Sequence, residues 1–434
     1  MIPGTDKALH KYLTRYAEPE TALLQDFPAR FRQVLVVPFY REPARSLQSL
    51  CRFIGKHPGT LLIAISNRPE TDPDCAWHRE LVAGLGDAPC WSAGNGLLNL
   101  FPFGDDSAVL LVDRVLAGAP LPPQQGVGLA RKIGADLACR LIAEGRIHSP
   151  WIGNTDADTR LPDHYFEAQP PASAAAALVY PFRHVFTDDC PQLPTLLYEF
   201  YLHHYVEGLR WAKSPYAWHT IGSVIAVHHR HYAQVRGFPK RSGAEDFYLL
   251  NKLAKTGAIH NLDNPLIDIH ARHSDRVPFG TGPAVQRIGQ NPHPLQMPLY
   301  HPATFAYLKC FLTLLQRLAQ APIDYRELLE EIAGDLDRYQ IQNCCEHLKL
   351  PAAVQHSIRQ ASDAESRLRH LHTWFDGFKT RKLVHLLRDQ ALGTIPFQDW
   401  RRYGAQWGQP GSERMHELSG EIEGLTCTVI GSGE

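Results

Sequence analysis

The chain has 434 residues, 44% of them apolar, so it can bury a large core and exceeds the length of a typical single domain. Its 44 Lys and Arg nearly cancel its 45 Asp and Glu, so no global field draws it to nucleic acid or an acidic membrane, and any charged ligand must be held locally. No run of about 18 uncharged apolar residues occurs, which argues against a transmembrane segment.

The opening stretch MIPGTDKALHKYLTRYAEPE has scattered charges and no apolar core of signal-peptide length, so a cytoplasmic location is expected. The nine cysteines are irregularly spaced, with only Cys344 and Cys345 adjacent, which suits free thiols in a reducing compartment. From about residue 30 to 300, apolar runs at 33–39, 60–66, 108–113, 149–155, 175–182 and 221–227 alternate with helical patterns. That alternation predicts an α/β fold with a mainly parallel sheet flanked by helices, whose ligands sit beyond the carboxyl ends of the strands.

In GVGLARKIGADLACRLIAEG (126–145), apolar residues share one helix face, and Lys132, Asp136, Arg140 and Glu144 form an i, i+4 ladder expected on the other. Arg131 is left out of the ladder. It lies in the first turn behind Gly126 and Gly128, a loop that suits either an anion on the helix dipole or a plain tight turn. The next strand ends in WIGNTDADTRLPDH (151–164), where Asp156 and Asp158 stand one residue apart. Such a pair suits a hard divalent cation; it also suits a surface turn. A D-x-D-x-T phosphatase is disfavoured because Arg160 occupies the threonine's place.

Further on, LPTLLYEFYLHHYVEGLRWA (193–212) is amphipathic without the Lys/Arg richness of an interfacial helix. Tyr216, Trp218 and His219 follow, just before the Gly222 strand, as flat faces for a ligand or as core packing. The strand leads through a basic segment and a Gly-Phe-Pro turn to Glu245 and Asp246 at a helix start, beside Lys240 and Arg241, a place that suits a general base or simple capping. In LIDIHARHSDRVPFGTG (266–282), Ile267 and Ile269 alternate with Asp268 and His270, so a strand burying the isoleucines turns His270 to the opposite side. Beyond 300, helical spacing dominates at 303–320 and 323–348, while the Gly/Ser-flanked last stretch gives no clear element. The division expected is residues 1–300 as the α/β domain and 301–434 as a helical C-terminal extension.

Four segments, in order over about residues 33 to 260, resemble the motifs of a family-2-type glycosyltransferase with the GT-A fold, in the nucleotide-diphospho-sugar transferase superfamily. VVPFYREP is similar to the family's opening strand and P-x-Y-x-E turn, and GLARKIGADLA to its Ala-Arg-Asn-x-Gly helix. TDADTRLP is similar to its D-x-D motif, and GSVIAV with VRGFP and GAEDFYLLNKL to its acceptor-side segment ending in Glu-Asp. The resemblance implies a sugar transferred from a UDP or GDP sugar to a carbohydrate or small hydroxylated acceptor. Pro38, Tyr40 and Glu42 would line the nucleotide pocket, with Arg131 against the nucleotide. Asp156 would face the ribose or the metal shell, and Asp158 would ligate Mn2+ or Mg2+. Asp246, beside Glu245, would be the base of an inverting reaction. His270 would be a third metal ligand, as late histidines are in several GT-A enzymes, and Arg272, His273 and Arg276 would close on the diphosphate. Trp218, His219 and Gly222 would border the acceptor. The family's acidic D-D-x-S-x-D turn appears here as ISNRPETDPD (65–74), so Asn67 or Asp72 would read the base, and Lys132 replaces the usual Asn. The alternatives are a retaining GT-A enzyme, in which Asp246 positions substrate, and a catalytically silent sugar-nucleotide binding protein.

Overall fold

The computed structural model describes residues 7–86, 88–104, 106–170, 174–187, 192–272, 280–321 and 323–431. The chain divides into two compact units, Met1–Cys190 with Thr220–Gly282, and Pro191–His219 with Pro283–Glu434.

The first unit is built on β1 (Gln33–Phe39), β2 (Thr60–Asn67), β3 (Trp91–Ala93), β4 (Leu98–Phe103), β5 (Ser107–Arg114), β6 (Trp151–Asn154), β7 (Thr159–Arg160), β8 (Ala177–Val179), β9 (Phe182–Val185), β10 (Ile225–His228), β11 (Ile259–Asn261) and β12 (Ile267–His270). Nine of them form one sheet in the order β11-β8-β10-β6-β1-β2-β5-β4-β3. The centre, β6-β1-β2-β5, is parallel. Its strands are covered on both faces, which is why they read as continuous Val, Ile and Leu runs. The sheet is mostly parallel, as expected, with β11 also parallel to β8; β10, antiparallel to β6 and β8, and β4, antiparallel to β3 and β5, run against the rest. A smaller sheet, β7-β12-β9, completes the unit.

The helix Gly126–Ala143 lies against β1 and β2 so closely that a Cβ on Gly134 would stand 2.5 Å from side-chain carbons of both Val36 and Ile65. The charge ladder expected on its outer face is only half outside. Arg140 and Glu144 pair at the surface, but Lys132 and Asp136 are 4% and 0% exposed. Asp136 Oδ2 accepts from Lys132 Nζ at 2.9 Å and the Glu18 N–H at 2.8 Å. Its Oδ1 accepts from Tyr232 Oη at 2.7 Å and from Tyr12 Oη. The Tyr12 segment and the Tyr232 helix close over the pair, so charges that an i, i+4 pattern usually gives to solvent are buried and fully bonded here.

The second unit is helical. Its core joins Leu209, Ala212 and Ala217 to Phe305, Phe311, Leu314, Leu315, Leu350 and Leu383. Residues 191–219, assigned in sequence to the α/β domain, therefore belong to this unit, which resumes at 283 and not at 301. The stretch read as one helix over 323–348 is two, Tyr325–Ile332 and Arg338–His347, capped by Asp324 and Asp337 and separated at Gly334, where φ is +55°. The final Gly/Ser-flanked stretch forms the helix Glu413–Gly431. Among the described residues no helix is long and apolar enough to cross a membrane.

Replacing Asp136 by Ala leaves the Lys132 ammonium buried without its carboxylate. Loss of one partner of a buried ion pair costs about 3–5 kcal/mol, which a urea midpoint would register. A change below about 1 kcal/mol would show that the cluster is not closed in solution.

Candidate functional site

Just past the carboxyl end of β6, the N-terminal turns of two helices, Gly126–Ala143 and Glu245–Leu253, are joined through Arg131. Arg131 lies at this corner, 2% exposed. Its Nε donates to Glu245 Oε1 at 3.0 Å, its Nη1 to the Thr155 carbonyl at 3.3 Å, and its Nη2 to Asp156 Oδ1 at 2.6 Å. One guanidinium thus ties the D-x-D turn to the Glu-Asp helix. Gly222, expected beside the acceptor, serves this contact: a Cβ there would stand 2.5 Å from Arg131 Nη2 and 2.8 Å from its Cζ.

The Gly126 and Gly128 loop is not an anion cradle. The Gly128 N–H donates to the Arg241 carbonyl at 2.9 Å, and a Cβ on Gly128 would lie 2.4 Å from the Pro239 carbonyl. The glycines let the 239–242 loop lie on the helix start and so fix where the chain enters Glu245. Ala244 holds a left-handed φ of +55° just before it, a strain tolerated only where the surroundings over-determine it. Lys240 pairs with Glu18 at 2.8 Å and Arg241 stacks over the Tyr248 ring at 4.1 Å.

Asp246, half-buried in the first helical turn, accepts the Phe247 N–H at 2.6 Å. Burial and then the neighbouring Glu245 carboxylate push its pKa up to about 8. Burial raises Glu245 as well, against the pull of Arg131. Of the two, Glu245 is bonded to a cation and Asp246 is the one poised to exchange a proton near neutrality.

The D-x-D turn hangs from β1 through the Thr155 N–H on the Val36 carbonyl at 3.1 Å. It is closed by Thr159, whose hydroxyl meets Thr155 Oγ1 at 2.6 Å and the Asp156 carbonyl at 2.7 Å. Asp158 Oδ2 lies 2.6 Å from Arg272 Nη2, and Arg272 also holds Glu42 in a bidentate pair, 2.7 Å on each arm. The β12 strand forms with Ile267 buried and His270 exposed, but Ile269 is only half-buried, as Asp268 is, so the expected burial of both isoleucines holds for Ile267 alone. The His270 N–H donates to the Asp158 carbonyl at 2.9 Å. The side chains expected to hold Mn2+ or Mg2+ do not fit that role as they stand: Asp156 and Asp158 each bind a guanidinium. Among the described residues no three His, Cys, Asp or Glu gather into a group able to hold a metal ion. Arg276 and His273 lie outside the described residues.

Val36 and Ile65 face the Arg131 helix, so Pro38 and Asn67, two residues further along each strand and expected at a nucleotide, share that face. Tyr40 Oη donates to Asp72 Oδ2 at 3.0 Å, and Arg41, in a left-handed φ of +51°, binds both oxygens of Asp72. Asp72 is therefore committed to the turn. Asn67 is 6% exposed, and its Oδ1 is buried without a partner among the described residues, so of the two candidates it is the one with an uncommitted acceptor. Two features escaped the sequence reading. Asn154, 0% exposed and with a buried Oδ1 that has no partner among the described residues, stands just before the D-x-D turn. His78 joins Ser66 Oγ, 2.7 Å from its Nδ1, to Asp113 Oδ2, 3.2 Å from its Nε2, and so locks the ends of β2 and β5 together. An Asn or Asp closing an apolar strand was the available signal; the partners lie too far along the chain to be read.

Trp218 and His219 belong to the second unit and are buried there. The Trp218 ring is 5.3 Å from Tyr216, and the His219 ring is 4.7 Å from His203.

No family model and no curated protein matches the chain. Among solved structures, one described as "Crystal Structure of a Mycobacterial Protein" aligns at 12% identity over 71% of this chain and 80% of its own, with a TM-score of 0.31, too loose a likeness to assign a fold.

A raised carboxyl is protonated in the fold at pH values where the unfolded chain has released that proton, so Asp246 makes stability fall as pH rises from about 4 to about 8. Asp246→Asn removes this slope. The variant should melt above wild type at pH 8 and level with it near pH 4, by calorimetry at both pH values; equal melting at pH 8 would place Asp246 in water with an ordinary acidity.

Proposed function

We propose that the chain is an inverting GT-A glycosyltransferase, moving a sugar from a UDP or GDP sugar to a hydroxyl of a carbohydrate or small acceptor. The reading is carried by Arg131. It bonds Asp156 of one motif and Glu245 of another, 25 and 114 residues along the chain, at the strand ends where α/β sheets take ligands. In this reading Pro38, Tyr40 and Asn67 border the nucleotide, and Arg131 fixes Asp156 toward its ribose.

Asp246 carries the chemistry of the acceptor. Its carboxylate takes the hydroxyl proton as the oxygen attacks the anomeric carbon from the side away from the diphosphate. The bond from that carbon to the phosphate oxygen breaks and its electron pair stays on the diphosphate. Arg131 holds the adjacent Glu245, so the helix turn keeps its place while Asp246 changes charge. A Mn2+ or Mg2+ ion bound at Asp158 would supply Lewis-acid stabilisation of the departing diphosphate; with Asp158 on Arg272, no step is routed through it.

Purified protein assayed against a panel of UDP and GDP sugars, with and without Mn2+, should release nucleoside diphosphate in an acceptor-dependent way. With Asp246 near 8, kcat/KM should rise about tenfold per pH unit up to about pH 8 and then level. Asp246→Asn should lower kcat by at least about 10²-fold while donor binding persists. Donor binding without turnover would favour the silent binder, full activity of the Asn variant a retaining enzyme, and neither binding nor turnover would remove the nucleotide-sugar reading.

A further inference from the structure

We propose that Arg272, and not a divalent cation, supplies the positive charge that meets the donor's diphosphate at the D-x-D turn. The inference rests on the nucleotide-sugar reading above and concerns how that site handles charge.

Arg272 sits between carboxylates from two distant motifs. Nη1 and Nη2 take the two oxygens of Glu42, 230 residues away, and Nη2 also takes Asp158 Oδ2 at 2.6 Å. Glu42 is 3% exposed, so its charge is balanced inside the protein, whereas the Arg272 side chain is 29% exposed and within reach of a ligand. The placement is built by strand register. Arg272 follows β12, whose Asp268 pairs with Arg160 just past the D-x-D turn and whose His270 N–H holds the Asp158 carbonyl.

Charge accounting points the same way. Both D-x-D carboxylates already carry a guanidinium, Asp156 that of Arg131 and Asp158 that of Arg272. A divalent ion would have to displace Arg272 from Asp158 and leave Glu42 to hold it alone. A guanidinium offers five N–H donors in a planar fork suited to phosphate. Here Nη1 and Nη2 each face a carboxylate, while the buried Nε–H has no hydrogen-bond partner among the described residues. Three of the five N–H groups face carboxylates, so donors remain on the partly exposed fork for a phosphate oxygen, the second N–H of Nη1 among them. As the bond from the anomeric carbon breaks, the electron pair remains on the diphosphate and its charge is met by Arg272, held still by Glu42 and Asp158, so little reorganisation is needed.

Two measurements test this. First, Mn2+ alone is titrated into wild type and Arg272→Ala by calorimetry, without nucleotide. Removing the guanidinium opens the Glu42 and Asp158 carboxylates to the ion, so the variant should bind Mn2+ at least about tenfold more tightly than wild type. Second, turnover is measured in EDTA. Wild type should keep its rate, Arg272→Ala should lose about 10²- to 10³-fold and regain part of it with Mn2+, and Arg272→Lys should stay EDTA-insensitive at an intermediate rate. Tight Mn2+ binding by wild type, or turnover that EDTA abolishes and Mn2+ restores, would overturn the inference and leave glycosyl transfer standing. Absence of turnover by wild type under every condition would remove the transferase reading, and the Mn2+ titration would still decide whether Arg272 holds the cation's place.

Discussion

A buried guanidinium cannot shed its proton and cannot be left uncompensated, and Arg131 is almost wholly inside the protein. Its three bonds, to Asp156, to the Thr155 carbonyl and to Glu245, therefore fix the relation between the end of β6 and the start of the Glu245 helix. Much that surrounds it follows. Gly222 has no side chain because the guanidinium needs that space, and Gly128 has none because the loop leading to Glu245 lies on the helix that carries Arg131. The raised pKa of Asp246 follows too: Glu245 takes the arginine, and its half-buried neighbour is left beside a carboxylate.

The same constraint is met three times in the first unit with different results. Lys132 is closed off completely by Asp136 and two tyrosines, and the outcome is stability. Arg131 is closed off but links two motifs, and the outcome is geometry. Arg272 is bound on the same principle to Glu42 and Asp158, yet remains partly open, with a buried N–H that has no partner among the described residues. The Lys132 and Arg131 side chains are 5% and 3% exposed and that of Arg272 is 29% exposed, so of the three only Arg272 is open to solvent.

What the sequence disclosed was set by range. The central strands were legible because burial on both faces makes them uninterrupted apolar runs; β3 and β4 were not, since Gly94, Gly96 and Pro102 make that meander read as loop. Arg131 stood out because it alone among the helix's early charges had no i, i+4 partner. Lys132 and Asp136 misled, because nothing local announces that Tyr12 and Tyr232 close over them. The glycines before Arg131 misled for the same reason: their reason for being glycine is a carbonyl more than a hundred residues away. The pairing of Arg272 with Glu42 spans 230 residues and leaves no local trace. Trp218 and His219 were placed by sequence proximity to Gly222, while in the fold their neighbours are Tyr216 and His203 of the helical unit.

The central claim is that Arg131 holds the D-x-D turn and the Glu-Asp helix start as one assembly. Hydrogen exchange read by mass spectrometry on Arg131→Ala tests it directly. The account predicts that segments 155–160 and 242–249 lose protection together while β1 and β2 keep theirs, because the two segments share one cation and the sheet centre does not. Loss confined to one segment, or protection unchanged in both, would contradict it.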